Sequence, residues 1–485
     1  MFKYVLIFLM ILVIEANQLL HAQLFSSPFH AVNYALKYAN ALNFDGVNDY
    51  VNVTRPVADD FTIEYWVKTT QTGTTGTMWY SGVGIVDAEV GGSTNDFGTS
   101  LNGSKLCFGI GSTDYSIISN ASINDGSWKH IAVTRTKATG AINIYINGVL
   151  DISGNCSNLG SLTVPAYVRI GGMQTAVNYF NGSLDDIRFW NVVRTQAQIA
   201  ANMNQELNGD ESGLVAYFKC NQGIPNSTNT SVTTLFDETT SYNTALSNFT
   251  LSSTTSNFVF GKLNTGVVTE GLLLYLDPAV KRSYNGSGTT VADISLNANN
   301  GTLSASAPVF NITPKRFTFN GTVDNYIAIP SSKLNTTYTG KTIMVAAKMD
   351  ANFGTNRFRG LFGNAEDGTK RNFNFYIYNN GSAYQMHFSA AANGSMSDNL
   401  PITTGQWMIL AATQDATTTR YYLNGTLVGT TATPFAQYVS SLEEYVGKAD
   451  NYWLGDIGPV LIYKRWLSET EIVQNYNALK IKFGL

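Results

Sequence analysis

The feature that most constrains this chain is a four-part pattern that occurs twice, roughly 275 residues apart. The first copy opens with Phe44-Asp45-Gly46-Val47-Asn48-Asp49-Tyr50-Val51 and continues with Trp128-Lys129-His130-Ile131-Ala132-Val133. Ile144-Tyr145-Ile146-Asn147-Gly148 and Leu184-Asp185-Asp186-Ile187-Arg188-Phe189 complete it. The second copy runs from Phe319-Asn320-Gly321 to Tyr326-Ile327, then Trp407-Met408-Ile409-Leu410-Ala411-Ala412, Tyr421-Tyr422-Leu423-Asn424-Gly425 and Leu454-Gly455-Asp456-Ile457. Solenoid units repeat every ~20–50 residues, so a period this long is a duplicated domain.

Within each copy the patterning is that of β-structure. Phe61, Ile63, Tyr65 and Val67 alternate onto one face, as do Ile142, Ile144 and Ile146. Asn147-Gly148 and Asn424-Gly425 each end an alternating run, which is a strong hairpin signal. Phe373, Phe375 and Ile377 share a face opposite Asn374, Tyr376 and Tyr378. Many short strands with frequent turns predict an all-β, antiparallel sandwich. Each copy also predicts one helix after its Asp-Ile strand. Thr195 to Gln198 and Ser468 to Glu471 are capping boxes, followed by Ile199, Met203 and Leu207 in one copy and Ile472, Val473 and Tyr476 in the other.

Gly213-Leu214-Val215-Ala216-Tyr217-Phe218 matches Gly271-Leu272-Leu273-Leu274-Tyr275-Leu276. The first stands at the end of its copy and the second at the start. The expected organisation is a leader over 1–22, a first domain over 23–260, a linker over 261–270 and a second domain over 271–485.

Only 13% of the residues are charged and the net charge is −4. Lys and Arg are scattered, so no electrostatic footprint for nucleic acid is expected. Met1-Phe2-Lys3 followed by the apolar stretch from Tyr4 to Ile14 reads as an export signal, too short to span a bilayer, with cleavage after Ala22. Export predicts a secreted or cell-surface protein with no membrane span in the mature chain. Export also permits a disulfide. Cys107, Cys156 and Cys220 are odd in number and all fall in the first copy. A Cys107–Cys156 bridge and three packed free thiols both stand as readings.

Together, the Phe-Asp-Gly…Asp-Tyr-Val opening, the Trp-Lys-His-Ile-Ala-Val strand, the Tyr-Ile-Asn-Gly hairpin and the Asp-Ile strand with its capped helix resemble laminin-G-like (concanavalin A-like) jelly-roll domains. His21-Ala22-Gln23, at the end of the leader, is similar to that of secreted proteins of the Bacteroidetes type. The resemblance implies two concanavalin A-like jelly-roll sandwiches in tandem, each with a short C-terminal helix. It also implies a binding or adhesion role toward polysaccharide or a cell-surface glycan or protein. Glucanases share this architecture, and laminarinase-type relatives carry both catalytic carboxylates on one Glu-x-Asp-x-Glu or Glu-x-Asp-x-x-Glu strand. Here the nearest match is Asp87-Ala88-Glu89, beside Gly91-Gly92. The expectation is therefore a non-catalytic binding protein. A glycoside hydrolase with an unrecognised site and a structural adhesin spacer are the alternatives.

Calcium takes six to eight oxygens from carboxylates and carbonyls. In relatives the first and last strands are neighbours, so Asp45, Asp49, Asp185 and Asp186 are the candidate structural calcium ligands of the first copy. Asp324 and Asp456 are their candidates in the second, where Asn320 and Gly455 remove two carboxylates. The competing reading makes these aspartates turn and strand-end residues. Trp66, Tyr376 and Tyr378 lie on the polar sides of their strands and are the candidate sugar-stacking rings, against packing under loops.

Overall fold

A computed structural model describes residues 40–485, except 93, 176–177, 263–265, 296, 331–333, 335–338, 356, 365–372, 390–394, 398, 433–442 and 450. The expected leader lies outside the described residues. Four antiparallel sheets of eight strands form two stacked pairs, one pair per module. Each pair encloses an apolar core, around Phe44, Phe61, Ile63, Val133 and Phe189 in the first and around Phe319, Ile343, Val345, Leu410 and Ile462 in the second. The inward residues are the alternating sets that the sequence predicts.

Corresponding sheets share one strand order. In the first module it runs Val149–Asn155, Ala141–Ile146, Lys129–Thr136, Phe61–Lys68, Asn181–Trp190, Asn40–Asp45, Asn257–Phe260. In the second it runs Thr426–Ala432, Thr418–Leu423, Trp407–Gln414, Lys341–Met349, Leu454–Tyr463, Lys315–Asn320, Val309–Ile312. Both predicted hairpins form. Asn147 and Gly148 take φ 52° and 77°, and Asn424 and Gly425 take 50° and 78°. Two successive left-handed residues are what a twisted two-residue hairpin requires. The Asn147 and Asn424 side chains accept from the His130 and Ile409 amides at 2.9 and 2.8 Å.

The duplicated modules are joined in different chain order. The strand Leu214–Phe218 follows its helix and pairs with Asn181–Trp190, whereas Leu272–Leu276 opens its module and pairs with Leu454–Tyr463. Asp237 accepts from the Tyr217 amide and Asp293 from the Tyr275 amide, at 2.7 and 2.9 Å. Asn257–Phe260 and Val309–Ile312 occupy the same edge of the two sheets. Residues 214–260 and 272–312 are therefore equivalent blocks, and one module is a circular permutant of the other. The helix of the first module accordingly precedes four of its strands.

The capping boxes form as predicted, on Gln196–Asn202 and Glu469–Lys480. The first helix is shorter than its apolar spacing suggests, since Met203 is its C-cap and Leu207 lies beyond. Side chains from the sheet beneath bind its terminal carbonyls. Trp66 Nε1 donates to Met203 O at 2.8 Å and Arg188 Nη1 to Asn202 O at 3.0 Å, taking the role of further helical turns. Each helix covers the outer face of its sheet, Ile199 against Ala132 and Tyr145, Ile472 and Leu479 among Met344, Ala346 and Ile409.

The segment expected to link the modules is held on both sides. Lys262 N donates to Asp185 at 3.2 Å, and the buried Val268 donates to Asn475 at 2.7 Å. The described residues belong to one compact unit. All three cysteines are buried free thiols.

Candidate functional site

The aspartates expected to share a calcium ion do not converge. Asp45 pairs with Asn181 in the ladder, four positions from Asp185, or about 13 Å at ~3.3 Å per residue. Asp45 and Asp49 close a turn. Asp45 Oδ1 accepts from Val47 N at 2.8 Å, and Asp49 accepts from Asp45 N at 3.0 Å and from Ser256 Oγ at 2.9 Å. In the second module Asn320 accepts from Thr322 N at 3.0 Å, and Asn325 accepts from Asn320 N at 2.8 Å. Amides do the same work there, so the turn uses the acceptor oxygen and not the charge. The equivalent of Asp49 is Asn325, and the exposed Asp324 beside it is not.

The last strand also corrects the alignment. Phe44 stands opposite Gly182, and Phe319 opposite Gly455. Gly455 therefore matches Gly182, Asp456 matches Ser183, and Asp185-Asp186 match Gly458-Pro459. Both strands bulge at this place. Asp456 is neutralised by Arg316 and Lys348, each at 2.8 Å. Among the described residues, no group of three or more His, Cys, Asp or Glu side chains is arranged to hold a metal ion. The six aspartates do not fit one calcium site in either module.

Asp185 and Asp186 instead join a buried network found only in the first module. Burial and the neighbouring Asp186 charge push the Asp185 carboxyl well above the carboxylate range. Asp186, at φ 51°, accepts from Tyr217 Oη and lies 3.6 Å from Arg188. Glu64, fully buried, lies 3.2 Å from Arg194, 3.4 Å from His130 and 3.8 Å from Arg188. Burial alone would raise its pKa, but the His130 hydrogen bond and the arginine charges outweigh it and hold Glu64 below the usual range. Burial pushes His130 below the usual imidazole range, with Glu64 opposing. In the matching registers the second module has Met344, Ile409 and Leu461 for Glu64, His130 and Arg188.

Trp66 is not a surface platform. It is buried beneath the post-helix loop, with the Lys262 ammonium 3.3 Å from its ring centroid and His130 edge-on at 5.1 Å. The helix covers the outer face of its sheet, which the alternation of one strand cannot reveal. Tyr376 is also buried. Its hydroxyl accepts from Asn374 Nδ2 at 2.8 Å, and its ring stacks on His387 at 5.5 Å. Tyr378 is half-buried and stacks on Phe358 at 4.2 Å with 17° between planes. Phe358 also meets Tyr376 edge-on at 6.1 Å. Four rings thus gather on the outer face of the second module's second sheet, with Tyr378 and Phe358 reaching solvent. Phe358 was missed from the sequence, and the signal was its register opposite Tyr378 across the hairpin.

Asp87 and Glu89 sit with Asp96 at one end of the first module, all buried. Asp87 accepts from Gln174 N at 3.0 Å and Glu89 N at 3.2 Å. Burial drives its pKa from 3.8 up to about 7, with those hydrogen bonds opposing. The folded state holds this proton where the unfolded chain releases it. Its stabilisation is therefore complete below pH 3.8 and lost as pH rises to about 7. Asp87→Asn should gain in melting temperature relative to the parent as pH rises through that window, and the difference should level off above it. Thermal unfolding of both proteins at several pH values checks this, and a pH-independent difference would refute it.

Two stacked-sheet modules with sheet-covering helices define a tandem concanavalin A-like sandwich protein. The family model for the concanavalin A-like lectin/glucanases superfamily matches residues 45–200 and 320–473, more than half of the chain. The chain belongs to that superfamily. A rat protein with sushi, von Willebrand factor type A, EGF and pentraxin domains is 30% identical over 86 residues, which are 16% of this chain and 2% of that protein. Among solved structures, a Bacteroides ovatus protein assigned to carbohydrate binding is 21% identical, covering 44% of this chain and 59% of its own, with TM-score 0.35. Domains LG4-5 of the mouse laminin α1 chain are 10% identical, covering 92% and 96%, with TM-score 0.28. Domain 4 of an extracellular arabinanase from Geobacillus stearothermophilus, solved with arabinotriose, is 16% identical, covering 42% and 98%, with TM-score 0.33. Among the described residues no helix is long and apolar enough to cross a membrane.

Proposed function

We propose that this is a secreted, non-catalytic protein that binds glycan chains of polysaccharides or cell surfaces. The observation that carries this reading is the half-exposed Phe358–Tyr378 pair, supported from below by Tyr376 and His387. The two rings are stacked face to face, so the half-exposed pair offers its edges and outer ring faces as apolar contact for the C–H face of a sugar. The surrounding Asn374 and Asn379 amides are already committed within the protein, so the rings stay fixed before a ligand arrives, which lowers the ordering cost of binding. The superfamily holds both lectins and glucanases. The reading as a binding protein is supported by the burial of Asp87 and Glu89, which puts this nearest approach to a glucanase carboxylate pair out of a polymer's reach.

A glycan array probed with the purified chain should show retained ligands. Tyr378→Ala should weaken the best of them at least about tenfold, equivalent to ~1.4 kcal/mol, with little change in melting temperature. Retention unchanged by Tyr378→Ala and Phe358→Ala together would remove the aromatic pair from the proposal. Release of reducing sugar from a retained glycan would replace it with the hydrolase reading.

A further inference from the structure

A cavity of about 490 Å³ opens where the two modules meet, within the ~300–1,000 Å³ of small-molecule sites. The loop after the first helix, from Asn204 to Asn208, and Glu238 form one wall. The strand carrying Leu272 and Tyr275, the residues Ile294, Ser295 and Asn297, and the end of the last helix form the other. Neither module makes it alone. Its walls are fastened together, since Lys281 N donates to Asn208 O at 3.0 Å and Arg282 lies 3.3 Å from Glu238.

We infer that this cleft is a second ligand site, for a neutral saccharide of one or two rings. The argument rests on how its charges are arranged. Lys219 lies 3.6 Å from Glu206, Arg282 3.3 Å from Glu238, and Lys482 2.6 Å from Asp277. Each cation in these pairs already has its anion. A charged ligand at these pairs would have to break one and leave a partner unpaired in a sheltered site, which is costly; Lys464, which also lines the cavity, is the one lining cation outside the ion pairs of the described residues. Hydroxyl groups suit such walls, because one hydroxyl accepts from an ammonium or guanidinium and donates to a carboxylate while the pair persists. The carboxylate that a ligand hydroxyl reaches is Glu206, whose side chain lines the cavity and keeps 19% exposure beside Lys219. The same cavity is lined by two large aliphatic side chains left in solvent, Ile224 and Ile481, at 46% and 64% exposure. They offer the apolar contact that the C–H face of a sugar ring needs. The site is independent of the aromatic pair, which lies on a different sheet of the second module.

Isothermal titration of the whole chain with glucose, galactose, mannose, xylose, arabinose and their homodimers tests this, with glucuronate and galacturonate alongside. Ile224→Trp and Ile481→Trp each place an indole in the cavity from an exposed position, so the cores are undisturbed. At least one neutral sugar should bind the parent, and both variants should weaken it tenfold or more. Binding that remains in the tryptophan variants but is lost on adding Tyr378→Ala belongs to the aromatic pair and is set aside, which separates the two sites. Preference for a uronate, absence of saturable binding by every neutral sugar, or binding that survives both tryptophan variants and the added Tyr378→Ala would overturn the inference.

Discussion

Replacing Arg188 with leucine is expected to destabilise the first module by about 3–5 kcal/mol, because it leaves a buried charge without its partner. Arg188 stands fully buried between Glu64 and Asp186, and it also donates to the carbonyls of Asn202 and Gln205. Its loss strands Glu64 with only part of its compensation. The informative control copies the second module. Glu64→Met, His130→Ile, Arg188→Leu and Arg194→Leu together introduce the residues found in the matching registers at 344, 409, 461 and 467. Replacing buried ionic groups by apolar side chains is often neutral, and here only Asp186 is left without its arginine, still accepting from Tyr217. The fourfold variant should therefore recover most of what the single one loses, in urea unfolding followed by tryptophan fluorescence. A fourfold variant no more stable than Arg188→Leu would show that the network is needed to seat the post-helix loop and not merely to balance charge.

The contrast between the modules explains what sequence patterns revealed here and what they hid. The duplication, the Asn-Gly hairpins and both capping boxes were readable because each depends on residues a few positions apart. The permuted strand was readable from its own six-residue likeness, Gly213 to Phe218 against Gly271 to Leu276. The register of the last strand was not. Leu184-Asp185-Asp186-Ile187 and Leu454-Gly455-Asp456-Ile457 look alike, yet they sit three positions out of step, because the first runs into the bulge of its strand and the second ends before it. The reliable marker was glycine. Gly182 and Gly455 take φ 157° and 135°, and a Cβ on either would lie 2.6 or 2.2 Å from the carbonyl oxygen of Lys68 or Lys348. Trp66 was misplaced for another reason. A strand's polar side predicts which face a ring takes, but whether a helix then covers that face is decided by distant chain. Tyr378 stayed open and Trp66 did not. The inter-module cleft has no local signature, since its walls come from both ends of the permuted junction.

Deleting residues 272–312 should abolish cooperative folding of the second module, and moving them should not. The segment supplies the Leu272–Leu276 strand against Leu454–Tyr463, the short strands Thr290–Val291 and Gly301–Leu303, and the edge strand Val309–Ile312. It takes Leu274, Leu276, Val291 and Leu303 out of the core. Fully buried aliphatic side chains contribute ~1.5–3 kcal/mol each, so the loss approaches the whole ~5–15 kcal/mol of a typical domain. Connectivity, by contrast, is not what the first module needs, because it carries the equivalent block after its helix. A chain in which 272–312 follow Leu485 through a flexible linker adopts that same order. The ends are near enough, since Lys482 lies 2.6 Å from Asp277. Limited proteolysis should remove residues 313–485 from the deletion variant at once while sparing the first module, and the permuted chain should resist like the parent. Equal sensitivity of the deleted and permuted chains would mean that the block must be made first to seed the second sandwich, and that the two modules, alike in topology, are not interchangeable in how they fold.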